Sequence, residues 1–516
     1  MKFPFFSRQT FTAGTVFLLL FALGKLLIHF YTNTFAGYGI FRDELYYAAC
    51  SEHLSVGYVD QPPLSILVLA ISRMLFGDSI FAIRFFPALA GAATVFLTGL
   101  MARELGGGRF AQALASCASI VSIIFLAYDA IYSMNAFDVL LWAWSAYILI
   151  LLLKTGDNKY WLQLGLLLGC GLLNKISVLW LGFGIFVGVV LTPERRWLKT
   201  ENPYIAGVIA FALFLPFIIW NATHNLAHLE FIRNATSGKY SSLTPQIFLT
   251  GQILLQNPVT FPLWILGLVW FFVSKEGRQF RLLAYVYLAV LFILLFNGHS
   301  KPDYLAQAYS MLFAGGAVAV ERWTTRPLLR WLKPVYLAVV CAGIILAPAA
   351  LPVLPVESYF RFADALHITP TTAEAKKLDK LPQFYADMFG WEEKAAAVAK
   401  VFHNLSPEDQ SKCAIFGDNY GRCGAIDFYS EKFGLPKSIG IHNNYWIWGP
   451  RKYTGELVII LGGDLKRKTD RFESVAIADT VRTQYAMPYE NNLAIYVCRN
   501  LKAPLWQLWP TLKHYD

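Results

Sequence analysis

Two adjacent carboxylates beside a cation and two phenols, as in Arg42-Asp43-Glu44-Leu45-Tyr46-Tyr47, are residue types that take a proton from a hydroxyl while holding an anion nearby. After a short gap Asp60-Gln61-Pro62-Pro63 follows. The plain alternative is a polar loop between two apolar segments, but a loop that only had to bridge a gap would not need these side chains. A second cluster, Asn297 to Tyr304, places His299, Lys301 and Tyr304 within six residues, a set that can clamp a phosphate. Here the alternative is a lysine that snorkels to a membrane interface. Asn174-Lys175 and the 221–240 loop, with His224, His228, Glu230 and Arg233, could join that clamp. For Lys175 and these histidines a structural role comes first. Tyr128-Asp129, Asn135 and Asp138 are polar groups around a helix start, where an aspartate serves the helix dipole, and they receive no chemistry.

The elements that position these residues belong to a membrane. Of the 516 residues 56% are hydrophobic and only 15% charged, which leaves too little polar surface for a soluble globule of this size. A net charge of +10 points to nucleic acid in a soluble protein; here the basic residues fall in short clusters between apolar runs, no nucleic-acid motif accompanies them, and no nucleic-acid partner is expected. Runs of about 20 apolar residues cross a bilayer as helices. About eleven are expected, near 11–31, 79–101, 110–128, 132–153, 160–173, 176–191, 203–220, 247–273, 282–297, 305–320 and 334–351. The first is too long for a signal peptide and reads as a retained helix.

Lysine and arginine set the orientation. With the N-terminus inside, one set of loops carries Lys2 and Arg8; Arg103 and Arg109; Lys154 and Lys159; Arg195, Arg196 and Lys199; Lys275, Arg278 and Arg281; and Arg322, Arg326, Arg330 and Lys333. The alternate loops carry fewer, chiefly Arg42, Arg73, Lys175, Arg233, Lys239 and Lys301, so the Asp43 loop is expected outside. With an odd number of spans the polar tail after residue 351 is outside too. Strand-like runs at 414–416, 457–461 and 493–497 alternate there with helical stretches near 373–388, 391–404 and 424–433. The expected organisation is a transmembrane domain over 1–351 and an extracytoplasmic α/β domain over 352–516. Gly462-Gly463-Asp464 lacks a following Gly-Lys-Ser/Thr and reads as a turn. The seven cysteines make neither a disulfide framework nor a zinc pattern, although a bridge between Cys413 and Cys423 is allowed.

The Asp-Glu pair before two tyrosines, followed by Asp60-Gln61-Pro62-Pro63-Leu64, resembles the signature of GT-C fold glycosyltransferases, and among them the bacterial relatives of protein O-mannosyltransferases and of the aminoarabinose transferase that modifies lipid A. Tyr132 to Asp138, Leu172-Leu173-Asn174-Lys175 and Lys301-Pro302-Asp303-Tyr304 match further, so that the resemblance covers roughly the first 350 residues. In the tail, Gly417-Asp418-Asn419-Tyr420-Gly421 and His442 to Pro450 look like motifs of a bacterial subset. The resemblance implies a polyprenyl-phosphate sugar donor, an inverting transfer and Asp43 as base, with Glu44 in support. Substrate contacts fall to Arg42, Tyr46, Tyr47, Asp60, Gln61, Lys175, His299, Lys301 and Tyr304. At Asp60-Gln61 the chain departs from the lipid A transferases, which carry a glutamate and a lysine before the two prolines; the phosphate contact then passes to Arg42, His299 or Lys301. No cofactor or metal ligand is assigned, and assistance by a divalent metal stays open.

Physical logic leads to the same place. Nucleotide sugars are charged, are made inside and do not cross a bilayer unaided, and no cytoplasmic phosphate loop is present in the sequence. A transferase working outside therefore needs a donor carried on a lipid, an extracytoplasmic acceptor and a place in the inner membrane with its active site facing the periplasm. The rival is a lipid or sugar flippase, whose marks are charges at mid-membrane depth and internal repeats. No repeat is evident, and Lys25, His29 and Arg84 lie near helix ends. The charge count makes a direct prediction: reporter fusions at Ser55 and at Lys466 should both report the periplasmic side, and a cytoplasmic signal from either would overturn the placement.

Overall fold

The computed structural model describes residues 13–239, 243–372, 374 and 376–516. Lys2, Arg8 and the start of the first expected span lie outside the described residues, as does the side chain of Lys239. The chain forms two compact units. One comprises residues 1–36, 84–215 and 242–353, the other residues 37–83, 216–241 and 354–516.

Among the described residues six helices are long and apolar enough to cross a membrane: Gly14–Phe35, Ile80–Glu104, Met134–Thr155, Asn202–Thr223, Gly277–Phe296 and Pro327–Ala349. Three further helix pairs raise the number to nine if each bent pair is one span. The breaks have local causes. Pro258 has no N–H to give a helix and forces Asn257 out of helical backbone, so Pro245–Leu255 and the segment from Pro258 to Val273 meet at 92°. Pro193 likewise ends Val178–Leu191, and the next turn leaves at 108°. Arg109–Val121 and Ile123–Asp129 bend by 63° at Ser122, whose hydroxyl donates to Gln256 Oε1 at 2.9 Å. The runs read as single spans over 110–128 and 247–273 are therefore broken ones, while the bend at Pro193 falls just past the span expected over 176–191.

In hydrocarbon, backbone groups released by such breaks must find partners inside the protein. Asn257, fully buried, supplies them: its Nδ2 donates to Val121 O at 3.0 Å and to Gly343 O at 2.9 Å. The same unit buries the Lys25 ammonium 3.0 Å from the Asp129 carboxylate, so the charge noticed on the first helix is paired.

The second unit carries a five-stranded sheet, β1 Cys413–Gly417, β2 Ile439–Gly440, β3 Leu457–Leu461, β4 Phe472–Val481 and β5 Leu493–Leu501, in the order β2-β1-β3-β5-β4. β1 runs parallel to β2 and β3, while β5 is antiparallel to β3 and β4. Every residue of β3 is buried, as a Leu-Val-Ile-Ile-Leu run demands when both faces are covered. On one face Ile415, Ile459 and Ile495 pack with Val398 and Phe402 of the helix Trp391–His403. On the other, Val458, Ile460 and Tyr496 pack with Leu505 and Trp509. The helix expected near 373–388 is, among the described residues, only the turn Gln383–Ala386, and β4 was not foreseen. Cys413 and Cys423 are free, buried thiols, so no bridge joins them.

Asn257→Ala removes both donors at the break and leaves two buried carbonyls unpaired, which should cost about 2 to 4 kcal/mol. Asn257→Asp keeps an acceptor but loses the donors, so it should fall with Ala. Thermal unfolding in detergent checks this; an Asp variant as stable as the parent would show that the donors are idle.

Candidate active site

The segment from Arg42 to Glu52, read from the sequence as part of a loop, is a helix. Phe41 precedes it in extended backbone, and Glu44 Oε2 accepts the Phe41 N–H at 2.8 Å, closing the first turn with a carboxylate where the helix dipole favours one. Glu44 is fully buried, which places this carboxylate in support of the helix start. Asp43, one position earlier, points a different way and is 37% exposed at its side chain, so it is the member of the pair that a substrate can reach.

Asp43 Oδ1 accepts two hydrogen bonds, from Tyr420 Oη at 2.8 Å and Arg42 Nε at 3.2 Å. Both converge on one oxygen, and Oδ2 has no protein partner among the described residues. Arg42 in turn is a hub: Nη2 lies 3.1 Å from Glu374 Oε1, Nη1 lies 3.5 Å from Asp387 Oδ2, and Nη1 donates to Tyr489 Oη at 2.8 Å. Burial on its own would lower the Arg42 pKa; Asp387, Tyr420, Asp43 and Glu374 outweigh it, and the guanidinium is held charged. The helix Tyr420–Phe428 can press this close because Gly421 and Gly424 face it: a Cβ would meet Arg42 Cγ at 2.7 Å and the Leu45 carbonyl carbon at 2.8 Å.

The Asp60 segment joins the same group. Tyr46 Oη donates to Asp60 Oδ1 at 2.9 Å and accepts the Asn444 N–H at 3.3 Å, while Asn444 Oδ1 accepts the Val59 N–H at 2.9 Å. The Tyr46 ring lies 5.0 Å from that of Tyr420, and Tyr47 is buried beside it on the helix. Gln61 is buried with no hydrogen-bond partner for its side-chain amide among the described residues. Of the residues singled out in the sequence the structure brings together Arg42, Asp43, Tyr46 and Asp60, and it adds Glu374, Asp387, Tyr420, Asn444 and Tyr489, which the sequence reading did not single out. The two tail motifs were the available signal, since Tyr420 and Asn444 stand inside them.

Lys175, His299, Lys301 and Tyr304 belong to the other unit. Lys175 Nζ donates to Asn135 Oδ1 at 2.7 Å, lies 3.7 Å from Asp138 Oδ2 and sits over the Tyr304 ring at 5.5 Å. Asp138, fully buried, also accepts from Ser177 Oγ at 2.9 Å and Gln307 Nε2 at 2.8 Å. An aspartate read as a helix-dipole group is therefore the centre of a polar network, which brings Lys175 and Tyr304 together. Lys301 is half-buried at the start of the turn Pro302–Ala308, and His299 is exposed.

One group among the described residues has ligand spacing for a metal: His442, His514 and Asp516, with donor atoms within 4.8 Å of one another. The Tyr420 N–H meets His442 Nδ1 at 3.4 Å, and Asp516 lies between the two rings, 2.7 Å from His442 Nε2 and 3.1 Å from His514 Nε2.

Burial pushes the Asp387 carboxyl up to about 7, against the pull of Arg42. Because the folded value lies above the ordinary one, the folded state favours the protonated acid, and this contribution is full below about pH 4 and lost as pH rises to about 7. Asp387→Asn imitates the protonated acid. Its thermal midpoint should fall less than that of the parent between those pH values. Parallel curves for the two proteins would contradict the assignment.

Residues 60–220 match the family model described as dolichyl-phosphate-mannose-protein mannosyltransferase. A lipid A galacturonosyltransferase from Rhizobium johnstonii is 24% identical over 337 residues, 63% of this chain and 68% of the relative. An undecaprenyl phosphate-alpha-4-amino-4-deoxy-L-arabinose arabinosyl transferase from Pseudomonas paraeruginosa is 25% identical over 389 residues, 64% of this chain and 67% of the relative. The crystal structure of ArnT from Cupriavidus metallidurans in the apo state superposes with a TM-score of 0.63 at 14% identity, covering 94% of this chain and 98% of that one; its form bound to undecaprenyl phosphate gives 0.62 at 13% identity with the same coverage. These likenesses favour the transferase reading and lend nothing to the flippase. With the apolar helices and the sheet unit already in place, they make this chain a multi-pass membrane glycosyltransferase of the GT-C fold, similar to the aminoarabinose transferases.

Proposed function

We propose that this enzyme moves a sugar from a polyprenyl-phosphate donor to an acceptor hydroxyl or amine on the periplasmic face, with inversion, and that Asp43 is its base. Relatives named for undecaprenyl-phosphate donors and for lipid A, and a fold neighbour bound to undecaprenyl phosphate, support the substrate class. The observation that carries the role of Asp43 is its one-sided tether: Tyr420 and Arg42 hold Oδ1, and Oδ2 is left to take a proton.

In the proposed step Oδ2 receives the acceptor proton as the acceptor atom bonds to sugar C1. The C1–O bond to the lipid phosphate breaks, and the phosphate departs with its electron pair. A lipid phosphate is already a good leaving group, so the remaining work is to neutralise its charge. Within its own unit Arg42 is a cation of the right kind beside Asp43, and the other unit carries Lys175 with Tyr304, and Lys301 and His299, as groups that bind a phosphate. The bias of lysine and arginine supports a periplasmic site.

Asp43→Asn preserves shape and removes the base, and should lower transfer by about a hundredfold to ten-thousandfold. The assay follows radiolabelled sugar from the undecaprenyl-phosphate pool of the expressing cells into the envelope fraction. Full-rate transfer by the Asn variant at the parental expression level would sink the assignment.

A further inference from the structure

The two faces of the sheet are covered unequally. The face of Ile415, Ile459 and Ile495 lies under the 13-residue helix Trp391–His403 and also receives Ile426 from the helix Tyr420–Phe428. Among the described residues the opposite face is covered by two short turns, Leu505–Leu508 and Trp509–Leu512. Between these turns and the sheet a cleft of about 190 Å³ remains, walled by Phe416, Ile439, Val458, Ile460, Leu501 and Leu508. The cleft reaches the carboxyl ends of β1 and β3. β1 pairs in parallel with β2 on one side and β3 on the other, so the strand order reverses there, which is where open α/β sheets take ligands. Asp418, Gly462 and Gly463, directly after those strand ends, line the cleft.

Arg467, Lys468 and Arg471 of the helix Leu465–Arg471 also line it, and among the described residues none of the three is in an ion pair. Lys468 is only 7% exposed; its Nζ donates to Asp464 O at 3.1 Å and lies 4.3 Å from the centre of the Tyr496 ring. Gly463 makes room for it, since at φ +79° an added Cβ would meet Lys468 Nζ at 2.9 Å. The acids nearby are engaged: Asp418 Oδ1 lies 2.5 Å from Arg422, and Asp464 Oδ2 accepts the Arg467 N–H at 3.2 Å. Burial lowers the Lys468 pKa even so, and an anion set beside the ammonium would relieve that cost. A sugar would leave its hydroxyls unpaired against the apolar walls, and a neutral hydrocarbon would leave Lys468 without a counter-ion. We infer that the sheet-bearing unit binds a single-chain anionic amphiphile, its acyl end between the sheet and the turn Leu505–Leu508 and its carboxylate or phosphate on Lys468, Arg467 and Arg471. The volume holds about six groups the size of a water molecule, hence one chain end and not two. The cleft lies on the face of the sheet away from Ile426 and the helix that carries Tyr420, the partner of Asp43, so this ligand is additional to the donor and the acceptor. The inference does not depend on the role of Asp43.

Photolabelling of the full-length protein in lipid nanodiscs tests this, since a detergent monomer has the shape of the inferred ligand and would compete with it. The probes are decanoic acid with a mid-chain diazirine, its monoacylglycerol phosphate and the matching decanol, with labelled positions mapped by peptide mass spectrometry. The expected result is label from one or both anionic probes within Val458 to Phe472 or Leu501 to Leu512, at least about tenfold above the alcohol. Which anionic probe labels tells a free carboxylate from a lipid phosphate. Lys468→Gln should lower the label about tenfold, and Leu508→Trp, at a half-buried position in the cover, should abolish it. Should Lys468→Gln fail to fold, changing the exposed pair Arg467→Gln and Arg471→Gln leaves the core untouched and should also lower the label. Label confined to the membrane helices, equal label from the alcohol, or undiminished label in Leu508→Trp overturns the site. Loss of the cleft label to excess unlabelled undecaprenyl phosphate overturns it too, because the cleft would then take the donor. Labelling is read without turnover, so its failure is distinct from a failure of Asp43 as base, which appears only in the transfer assay.

Discussion

A buried guanidinium is costly to desolvate, and Arg42, with its side chain only 10% exposed, stays charged because acids surround it. Apart from the neighbouring Asp43, its partners are far away in sequence. Glu374 and Asp387 lie more than 300 positions along the chain, and Tyr489 more than 400. Removing one would leave part of a buried charge uncompensated, which is why the tail and the short helix at Arg42–Glu52 behave as one folded object. Since Arg42 and Tyr420 also hold Asp43 Oδ1, the orientation of the proposed base depends on the same compensation.

The membrane unit meets the same constraint with different means. The breaks at Ser122 and Pro258 turn helices sharply and release backbone groups where no water can serve them, and Asn257 answers with two donated hydrogen bonds. Asp138 is treated likewise: Lys175, Ser177 and Gln307 together satisfy a carboxylate that hydrocarbon could not hold alone. Sharp turns and polar groups at depth are therefore affordable only where neighbouring helices supply partners, and it is at such places that this chain gathers its polar side chains.

What was legible in the sequence follows from which signals are local. Apolar length marked the membrane helices, and the Leu457–Leu461 run marked a buried strand, because both depend on composition over a short window. The bend at Pro258 was visible as a proline but was read through as one continuous span. β4 was missed because it is an exposed edge strand whose residues are mostly in solvent, so it carries no apolar alternation. Arg42–Glu52 was taken for a loop since its pattern is neither apolar nor clearly amphipathic; it is helical because the tail buries most of it from several directions. The partners of Arg42 and Asp43 were illegible for a related reason. Pairing across hundreds of residues leaves no spacing to read, and only the motifs around Tyr420 and Asn444 hinted that the tail had a role beyond bulk.

The adjacency of Asp43 and Glu44 shows how a motif can be read correctly as a pair and still divide its labour. Successive residues on a helix point about 100° apart, so two neighbouring carboxylates cannot both face one substrate. Glu44 turns inward, where burial would be expensive for a carboxylate unless a donor met it, and the Phe41 N–H does so at 2.8 Å. Asp43 is thereby turned outward, where water can reach it and where Tyr420 and Arg42 restrain a single oxygen. A carboxylate held on both oxygens would be a poor base, since each hydrogen bond it accepts stabilises the charge it must surrender to a proton. One held on neither would lose orientation. The tether through Oδ1 alone meets both needs, and the inward turn of Glu44 at the helix start is what fixes that geometry.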